Sequence, residues 1–167
     1  MIDGRSIRAA TTGDASAVKT IAVESGLFAP DDMGDFDEML SGYFDGTLAD
    51  HSWIVLESAA GTVVAAAYYA PEPFADRMWN LYFLAVLPGH QADGAGGALI
   101  AHVEDALRRR GEAAARVLIV ETSSLDRFAL TRDFYGKHGY DKEARIREFY
   151  GPGEHKVVFW KMLNPAP

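Results

Sequence analysis

One stretch in the middle of the chain constrains the fold more than any other. Residues 78–87, MWNLYFLAVL, form an almost unbroken apolar run, which is typical of a β-strand buried on both faces. Pro88-Gly89 end the run, a glycine-rich segment follows, and apolar residues then recur at helical spacing as far as Arg110. A buried strand, a short loop and an amphipathic helix in succession indicate a layered domain of helices and sheet.

The remaining segments extend this pattern in both directions. Asp14 is placed to cap a helix that Gly26 ends, and an acidic helix is expected after Pro30. Further strands are predicted at residues 6–11, 53–57, 62–69, 116–120, 140–149 and 155–163, with a helix at 125–138. The order β-α-α-β-β-β-α-β-α-β-β predicts a mixed α/β or α+β sheet with helices on both faces.

Composition limits the functions that are open to the chain. Its 167 residues, 49% of them hydrophobic, fit one domain over residues 1–167 with a substantial core. The absence of cysteine excludes a disulfide scaffold, a thiolate metal site and a thiol nucleophile. A net charge of -8 argues against nucleic acid as a partner. No secretory signal or membrane span is recognisable, so we expect a cytoplasmic protein without a membrane partner.

Two other kinds of site are not supported by the sequence. The histidines, His51, His90, His102, His138 and His155, are scattered over different segments and predict no metal site. A GxSxG nucleophile elbow is also missing.

The loop His90–Gly97, HQADGAGG, has the composition of an anion site. Unpaired N–H groups at a helix N-terminus attract phosphate, and glycines allow a ligand to approach the backbone. The loop lacks the Lys-Ser/Thr of a P-loop and the glycine spacing of a dinucleotide-binding turn. A nucleotide- or dinucleotide-binding enzyme is therefore the weaker interpretation.

Two motifs resemble one known family. The pattern Val86-x4-Gln91-x2-Gly94-x-Gly96 is similar to the acyl-CoA signature of the GNAT superfamily of N-acyltransferases, and residues 134–140, FYGKHGY, resemble its "FY.K.GF" helix end. The resemblance covers essentially the whole chain. It implies a mixed, mostly antiparallel sheet of about seven strands, splayed centrally and covered by helices on both faces.

The resemblance also implies how acetyl-CoA would bind. Pantetheine pairs with the backbone of a bulged strand before the loop, the pyrophosphate takes loop N–H groups, and an N–H near Ala85 polarises the thioester. The implied cofactor-binding residues are Leu84, Ala85, Val86, Gln91, Ala92, Asp93, Gly94, Ala95, Gly96, Gly97, Ala98 and Ser124, with Gly97 and Ala98 opening the helix.

The sequence departs from the family pattern at three points. The family usually has glycine at the position of Ala92 and often arginine or lysine at that of Asp93. An inward Asp93 carboxylate would weaken CoA binding, whereas an outward one would cap the helix or favour its dipole. The family's asparagine after the next strand is replaced here by Thr122-Ser123-Ser124, so its CoA contact passes to a hydroxyl or is absent.

Two residues are candidates for acid–base catalysis. The resemblance assigns Tyr135 as the general acid that protonates the departing CoA thiolate, and its alternative role is packing at a helix end. Glu121 is the first candidate for the base that deprotonates the amine, because it follows the strand across the splay. Its alternative is a salt bridge or a helix cap.

The acceptor site is predicted less sharply. Asn80 and Tyr82 alternate onto one strand face with Leu84, and Arg145 suits a carboxylate-bearing acceptor. Acidic residues at 31–38 line the expected entrance and suit a cationic amine, unless they form only a solvated helix start. The candidate substrate-binding residues are Phe28, Asp32, Tyr69, Asn80, Tyr82 and Arg145.

Together these features predict an N-acetyltransferase that moves an acetyl group from acetyl-CoA, its only cosubstrate, to a primary amine. Transfer is expected to be direct, in a ternary complex, and the absence of cysteine agrees with this. The acceptor is expected to be a small molecule or a peptide, and family members often form homodimers. The alternative is a non-catalytic acyl-CoA-binding or regulatory module with the same fold.

Overall fold

The order of helices and strands is the one that the sequence predicts. A computed structural model describes residues 4–165, except for the side chain of Asp32. The strands are β1 Ser6–Ala9, β2 Ser52–Glu57, β3 Val63–Pro71, β4 Met78–Val86, β5 Val117–Ser123, β6 Asp141–Gly151 and β7 Glu154–Met162. The helices are α1 Ala15–Glu24, α2 Gly34–Phe44, α3 Ala95–Arg109 and α4 Ala129–Lys137.

The strands form one seven-stranded sheet in the order β1-β2-β3-β4-β5-β7-β6. Strand β4 runs parallel to β5, whereas β1–β2, β2–β3, β5–β7 and β7–β6 are antiparallel. This confirms the predicted fold class, a mixed and mostly antiparallel sheet with helices packed on it. Within the described residues, no helix is both long and apolar enough to cross a membrane.

Contacts divide the chain into two compact units. The first unit comprises the residues up to Ala70 together with Phe83–Val103. Helices α1 and α2 bury Ile21, Phe36 and Leu40 against one face of its strands, where Trp53 is fully buried. The opposite face of β2 and β3 is buried as well, which explains why both strands are rich in alanine and branched apolar residues.

The second unit comprises Pro71–Tyr82 and the residues from Glu104 onward. Strands β4 and β5 pair in it from Met78↔Val117 to Leu81↔Val120, and β5 pairs along its whole length with β7. Strand β6 closes the sheet as an edge strand, and all of its residues except Gly151 are exposed. Strand β5 lies between β4 and β7 and is largely buried, as its apolar sequence requires.

The strand that leads into the glycine loop contains one extra residue relative to β3. The N–H of Glu72 donates to the carbonyl of Met78, and the N–H of Leu87 donates to that of Val64, both at 2.8 Å. The chain advances one residue more from Met78 to Leu87 than from Val64 to Glu72, which is the signature of a β-bulge. Between these two hydrogen bonds, Phe83 contacts Phe36, with ring centroids 5.6 Å apart.

Four details of the sequence prediction are wrong. The Asp14 carboxylate does not cap α1, because it accepts hydrogen bonds from Arg8 at 2.7 Å and from the N–H of Thr11 at 2.7 Å. Strand β5 continues to Ser123, so Glu121 lies within it. Tyr82, in the run predicted to be buried, is 43% exposed. Helix α3 begins at Ala95, before Gly97 and Ala98.

Candidate active site

The glycine loop presents backbone donors at the start of a long helix. Residues Gln91–Asp93 form a 3₁₀ turn, Gly94 has a positive φ of 76°, and α3 begins at the next residue. The N–H of Ala98 donates to the carbonyl of Gly94 at 3.0 Å and is the first donor used within the helix. The N–H groups of Ala95, Gly96 and Gly97 precede it and have no acceptor inside α3.

The side chain of Asp93 lies beside His90. Its Oδ2 is 3.5 Å from His90 Nδ1, and 59% of the side chain is exposed. The carboxylate therefore pairs with a neighbour in the loop rather than with the amides of α3. The backbone of Asp93 has a separate contact, because the Arg5 guanidinium donates to its carbonyl oxygen at 2.7 Å. Arg5 thus adds a cation to the loop that the sequence did not suggest.

Gln91 ties the loop to the end of β4. Its Nε2 donates to the carbonyl oxygen of Val86 at 3.3 Å. Leu84 and Val86 are half-buried and Ala85 is buried. Because these side chains are largely covered, mainly backbone atoms remain for a ligand at this end of the strand. The predicted CoA residues Leu84–Val86 and Gln91–Ala98 are thus brought together in the first unit, as a strand end, a turn and a helix start.

Tyr135 lies in an aromatic cluster in the second unit. It is 4% exposed, and its ring centroid is 5.6 Å from that of Phe159 and 5.9 Å from that of Tyr140. Burial raises the pKa of the Tyr135 phenol above its ordinary value, so the hydroxyl is protonated at neutral pH. It makes no hydrogen bond with another residue in the range 4–165. The proton is therefore not committed to a protein acceptor.

The helix end that carries Tyr135 is held by a partly buried ion pair. Lys161 Nζ donates to Glu104 Oε1 at 2.6 Å and to the carbonyl of His138 at 2.8 Å. The Tyr140 hydroxyl donates to the same Glu104 oxygen at 3.0 Å. Gly139 has a φ of 86° and allows the chain to turn between His138 and Tyr140. The FYGKHGY segment is therefore fixed at both sides of its turn.

Glu121, the predicted base, forms an ion pair. Its Oε2 is 3.0 Å from Lys156 Nζ, and the Glu121 side chain is 26% exposed. Lys156 is itself buried and its ammonium lies 3.5 Å from the centroid of the Phe149 ring. Sequence analysis missed Lys156. The contact of Lys156 with Glu121 could have been found only from the register of the strands. The pairing of β5 with β7 sets Lys156 opposite Ser123 and so beside Glu121.

Asn80 and Tyr82 share one carboxylate. The Asn80 Nδ2 and the Tyr82 hydroxyl each donate to Glu72 Oε2 at 3.0 Å. Asn80 is 1% exposed, and its Oδ1 is buried without a hydrogen-bond partner among residues 4–165. Glu72 was also missed by sequence analysis. It lies in the β3–β4 hairpin and reaches Asn80 because of the strand register.

The candidate residues of the second unit lie on opposite faces of the sheet. Strand register places Leu81, Val120 and Phe159 side by side, and Tyr135 packs on this face through Phe159. Because side chains alternate along a strand, Asn80 and Glu121 point to the other face. Tyr135 and Glu121 thus lie on opposite faces of the β4–β5 pair.

Ser124 and Arg145 line a cavity of about 440 Å³ in the second unit. The Ser124 Oγ accepts from the N–H of His155 at 2.8 Å, which fixes its position. Arg145 is exposed on β6, and Lys142 and Arg132 add positive charge to the same wall. The structure therefore groups Ser124 with Arg145.

The remaining predicted acceptor residues lie in the first unit. Phe28 packs on Phe36 and Phe83 with centroids 5.2 and 6.2 Å apart, and Tyr69 is 6% exposed. Of the acidic residues near the start of α2, Asp37 forms an ion pair with Lys19. The side chain of Asp32 lies outside the described residues. Within residues 4–165, no three His, Asp or Glu side chains are grouped to hold a metal ion.

A family model decides which family the chain belongs to. The model of the acetyltransferase (GNAT) family matches residues 20–140, which include the glycine loop and the FYGKHGY segment. The chain belongs to the GNAT acetyltransferase family. This confirms the resemblance that the two motifs indicate. No curated protein matches the sequence.

Solved structures of acetyltransferases share the fold. A GNAT-family protein from Desulfovibrio desulfuricans is 27% identical, with a TM-score of 0.85 and coverage of 95% of this chain and 99% of that one. A Salmonella typhimurium protein solved with acetyl-CoA is 21% identical, with a TM-score of 0.77 and coverage of 98% and 96%. The ribosomal-protein-S18-alanine N-acetyltransferase from Escherichia coli is 20% identical, with a TM-score of 0.78 and coverage of 98% and 96%.

Proposed function

We propose that this GNAT protein is an N-acetyltransferase that transfers an acetyl group from acetyl-CoA to a primary amine. The observation that carries the proposal is the glycine loop, where the first N–H groups of α3 have no acceptor inside the helix and the Asp93 carboxylate lies beside His90. The site fits a pyrophosphate, since backbone N–H groups and the helix dipole both favour an anion there. The Salmonella typhimurium neighbour, which was solved with acetyl-CoA as its cofactor, supports this choice of acyl donor.

In this proposal the first unit binds the cofactor. The N–H groups of the residues from Gln91 to Gly97 hold the pyrophosphate, except that of Asp93, which donates to the carbonyl of His90 at 3.3 Å. Gln91 fixes the turn on the end of β4. The backbone of Leu84, Ala85 and Val86 pairs with pantetheine. The N–H of Ala98 is used inside the helix, so this residue contributes only apolar contact. In the second unit, Ser124 supplies the hydroxyl that replaces the family's asparagine.

The chemistry is a direct transfer without an acyl-enzyme. The neutral amine nitrogen attacks the thioester carbonyl carbon, a C–N bond forms, and the C–S bond breaks as the tetrahedral intermediate collapses. The departing thiolate takes the proton of the Tyr135 hydroxyl, which burial keeps protonated. An N–H group near Ala85 stabilises the carbonyl oxygen as it gains charge.

Glu121 is the proposed acceptor of the amine's proton. The pairing of Asn80 with Ile119 places Glu121 on the sheet face that carries Asn80, opposite Tyr135. Lys156, at 3.0 Å, keeps the Glu121 side chain in place. As the C–N bond forms, the nitrogen becomes acidic enough for a carboxylate to accept its proton. The proposed base for the amine and the proposed acid for the thiolate therefore lie on opposite faces of the sheet.

The proposal treats residues 1–167 as a single acetyltransferase domain. Each of the three structural neighbours matches at least 95% of the chain, and therefore includes residues of both compact units. An amine acceptor agrees with the E. coli neighbour, which is named for N-acetylation of a protein alanine.

Titration calorimetry with acetyl-CoA tests the donor half of the proposal. We expect saturable binding in the micromolar range, and coenzyme A should compete for it. If acetyl-CoA does not bind at millimolar concentration, the proposed enzyme activity is wrong and only the assignment of the fold remains. Binding without acetylation of any amine in a broad panel would favour a non-catalytic acyl-CoA-binding module.

A further inference from the structure

A cavity of about 440 Å³ in the second unit is lined mainly by charged and polar residues. Its cationic residues are Arg132, in the first turn of α4, and Lys142 and Arg145, both on β6. Asp126 is the acidic residue in the same lining. The lining therefore carries an excess of two positive charges, in a chain whose net charge is -8. A concave surface lined by one sign of charge attracts ions of the other sign.

A β-bulge in β6 brings Lys142 and Arg145 to the same face of the sheet. The pairing of β6 with β7 is shifted by one residue after Lys142, so that Lys142 lies opposite Phe159 and Arg145 lies opposite Val157. Without the extra residue, side chains three positions apart would point to opposite faces. Val157 and Phe159 are two residues apart and share the face on which Tyr135 packs. Both cations therefore lie on the face that carries Tyr135.

Arg132 is held in place through only one of its nitrogens. Its Nη1 donates to the carbonyl oxygens of Ser123 at 2.7 Å and Leu125 at 2.9 Å. A guanidinium has five N–H donors, and Nη1 supplies two of them. The donors on Nη2 and Nε have no acceptor among residues 4–165. The guanidinium is thus pre-oriented by the backbone and keeps its other donors for a ligand.

The three cations of the cavity also have no carboxylate partner among the residues that the structure describes. Other cations of the second unit are paired, since Lys156 lies 3.0 Å from Glu121 and Lys161 lies 2.6 Å from Glu104. Arg132 is half-buried, and a partly desolvated charge without a partner is stabilised by an external ion of opposite sign. The lining therefore offers uncompensated positive charge to a ligand.

We propose that this cavity, called here the anion site, binds the phosphate group of a small molecule other than the amine acceptor. A phosphate monoester carries about two negative charges at neutral pH and has three strong acceptor oxygens. It matches the excess positive charge of the lining, and the planar Arg132 guanidinium can donate to two of its oxygens. A volume of about 440 Å³ lies in the range of small-molecule sites, so the ligand is expected to carry an organic group beside its phosphate.

The position of the anion site separates it from the proposed reaction of the amine. It lies on the sheet face of Tyr135, whereas Glu121, the proposed acceptor of the amine's proton, lies on the other face. The anion site thus gives Arg145, which the sequence linked to a carboxylate-bearing acceptor, a different ligand. A single carboxylate would leave one positive charge uncompensated, and a cationic amine would be repelled. Ser124 also lines the cavity, so a phosphate of acetyl-CoA is the competing source that the test must exclude.

The test is a titration of ¹⁵N-labelled protein with inorganic phosphate at low ionic strength, observed through the Nε–H signal of Arg132. We expect a saturable shift with an affinity on the order of millimolar, as suits so small a ligand. Arg145→Gln should weaken the affinity by about fivefold or more, because a charge-assisted hydrogen bond is lost. The matched control is Arg147→Gln, which removes the same charge from β6 outside the cavity lining and should change the affinity by less than about twofold.

A second titration, in the presence of saturating acetyl-CoA, distinguishes the two sources of the phosphate group. We expect inorganic phosphate to shift the Arg132 signal as before, because the ligand of the anion site is not the cosubstrate. Displacement of phosphate by acetyl-CoA would assign the cavity to the cosubstrate and overturn the anion site. The proposed function can fail independently. If the protein binds phosphate but not acetyl-CoA, the acetyltransferase is wrong and the anion site stands.

Three further results would overturn the anion site. These are no saturable shift in the wild type, an equal shift with acetate at the same concentration, and equal losses of affinity in Arg145→Gln and Arg147→Gln. The last result would mean that the general charge of this surface, rather than the cavity, attracts phosphate.

Discussion

The glycine loop and the sheet faces of the second unit bind their ligands, in this account, by different means. The loop offers backbone N–H groups, and its side chains are exposed or turned aside, as Asp93 is toward His90. The second unit offers side chains held by partners, such as Tyr135 in its aromatic cluster and Glu121 beside Lys156. Function in the loop should therefore depend on backbone conformation, and function on the sheet should depend on side-chain identity.

The largest effect is expected where the loop backbone cannot change. Gly94 has a φ of 76°, and a Cβ there would project into open space at the start of α3. In Gly94→Val the added side chain should occupy the phosphate position and strain the turn. We expect acetyl-CoA affinity to fall by about 100-fold or more, measured by calorimetry, since several charge-assisted hydrogen bonds are lost.

The matched control for this change is Gly111→Val. Gly111 also has a positive φ, of 80°, and open space around its Cβ, but it lies after the other end of α3. It should suffer similar strain and bind acetyl-CoA normally. Equal loss of affinity in both variants would mean that strain, and not the phosphate position, explains the result.

On the sheet, Tyr135→Phe should separate chemistry from binding. The phenyl ring preserves packing against Phe159, whereas the proton that the thiolate requires is removed. Turnover, followed by release of free thiol with an amine that the enzyme accepts, should fall by about 100-fold. Acetyl-CoA affinity should change little, and an unchanged turnover would remove Tyr135 as the general acid.

The Arg8–Asp14 ion pair in the first unit should make the stability of the fold depend on pH. Arg8 donates to Asp14 at 2.7 Å and lowers the pKa of that carboxyl from 3.8 to about 2. A depressed folded-state pKa stabilises the fold above pH 4, and this stability is lost as pH falls from about 4 to about 2. Asp14→Asn should reduce the free energy of unfolding at pH 7 by about 2 kcal/mol. Chemical denaturation at pH 7 and pH 3 checks this, because the variant should differ less from the wild type at pH 3.

Glu121→Gln tests whether the proposed base needs its charge. Glutamine keeps the size of the side chain but cannot accept a proton, so turnover should fall by about tenfold. The pH profile of turnover should also change. A fall that Lys156→Met reproduces without any change in the pH profile would point to a structural ion pair instead.

The smallest effect is expected from a change of charge in the loop. Asp93 is largely exposed beside His90, so Asp93→Arg should leave acetyl-CoA affinity unchanged or raise it by about threefold. A clear loss of affinity would show that the carboxylate shapes the loop, and the contrast between backbone and side-chain function would fail there.

The same contrast explains what could be predicted from the sequence. The loop and the order of the elements follow from local patterns, because residues 78–97 encode a strand, a turn and a helix start in one continuous segment. Glu72 and Lys156 could not be found in this way. Their contacts with Asn80 and Glu121 depend on strand register, and a β-bulge in β4 alters that register locally. Asp14 was misassigned because its acceptor atoms bind Arg8 and Thr11, which compete with the helix amides.

The central claim is tested most directly by incubating the protein with acetyl-CoA carrying a ¹³C-labelled acetyl group and a mixed panel of primary amines. The account predicts that mass spectrometry will find at least one amine carrying the labelled acetyl group, with one free coenzyme A formed for each product molecule. The label should not remain on the protein. Labelled protein would contradict direct transfer, and bound acetyl-CoA without any acetylated amine would contradict the acetyltransferase itself.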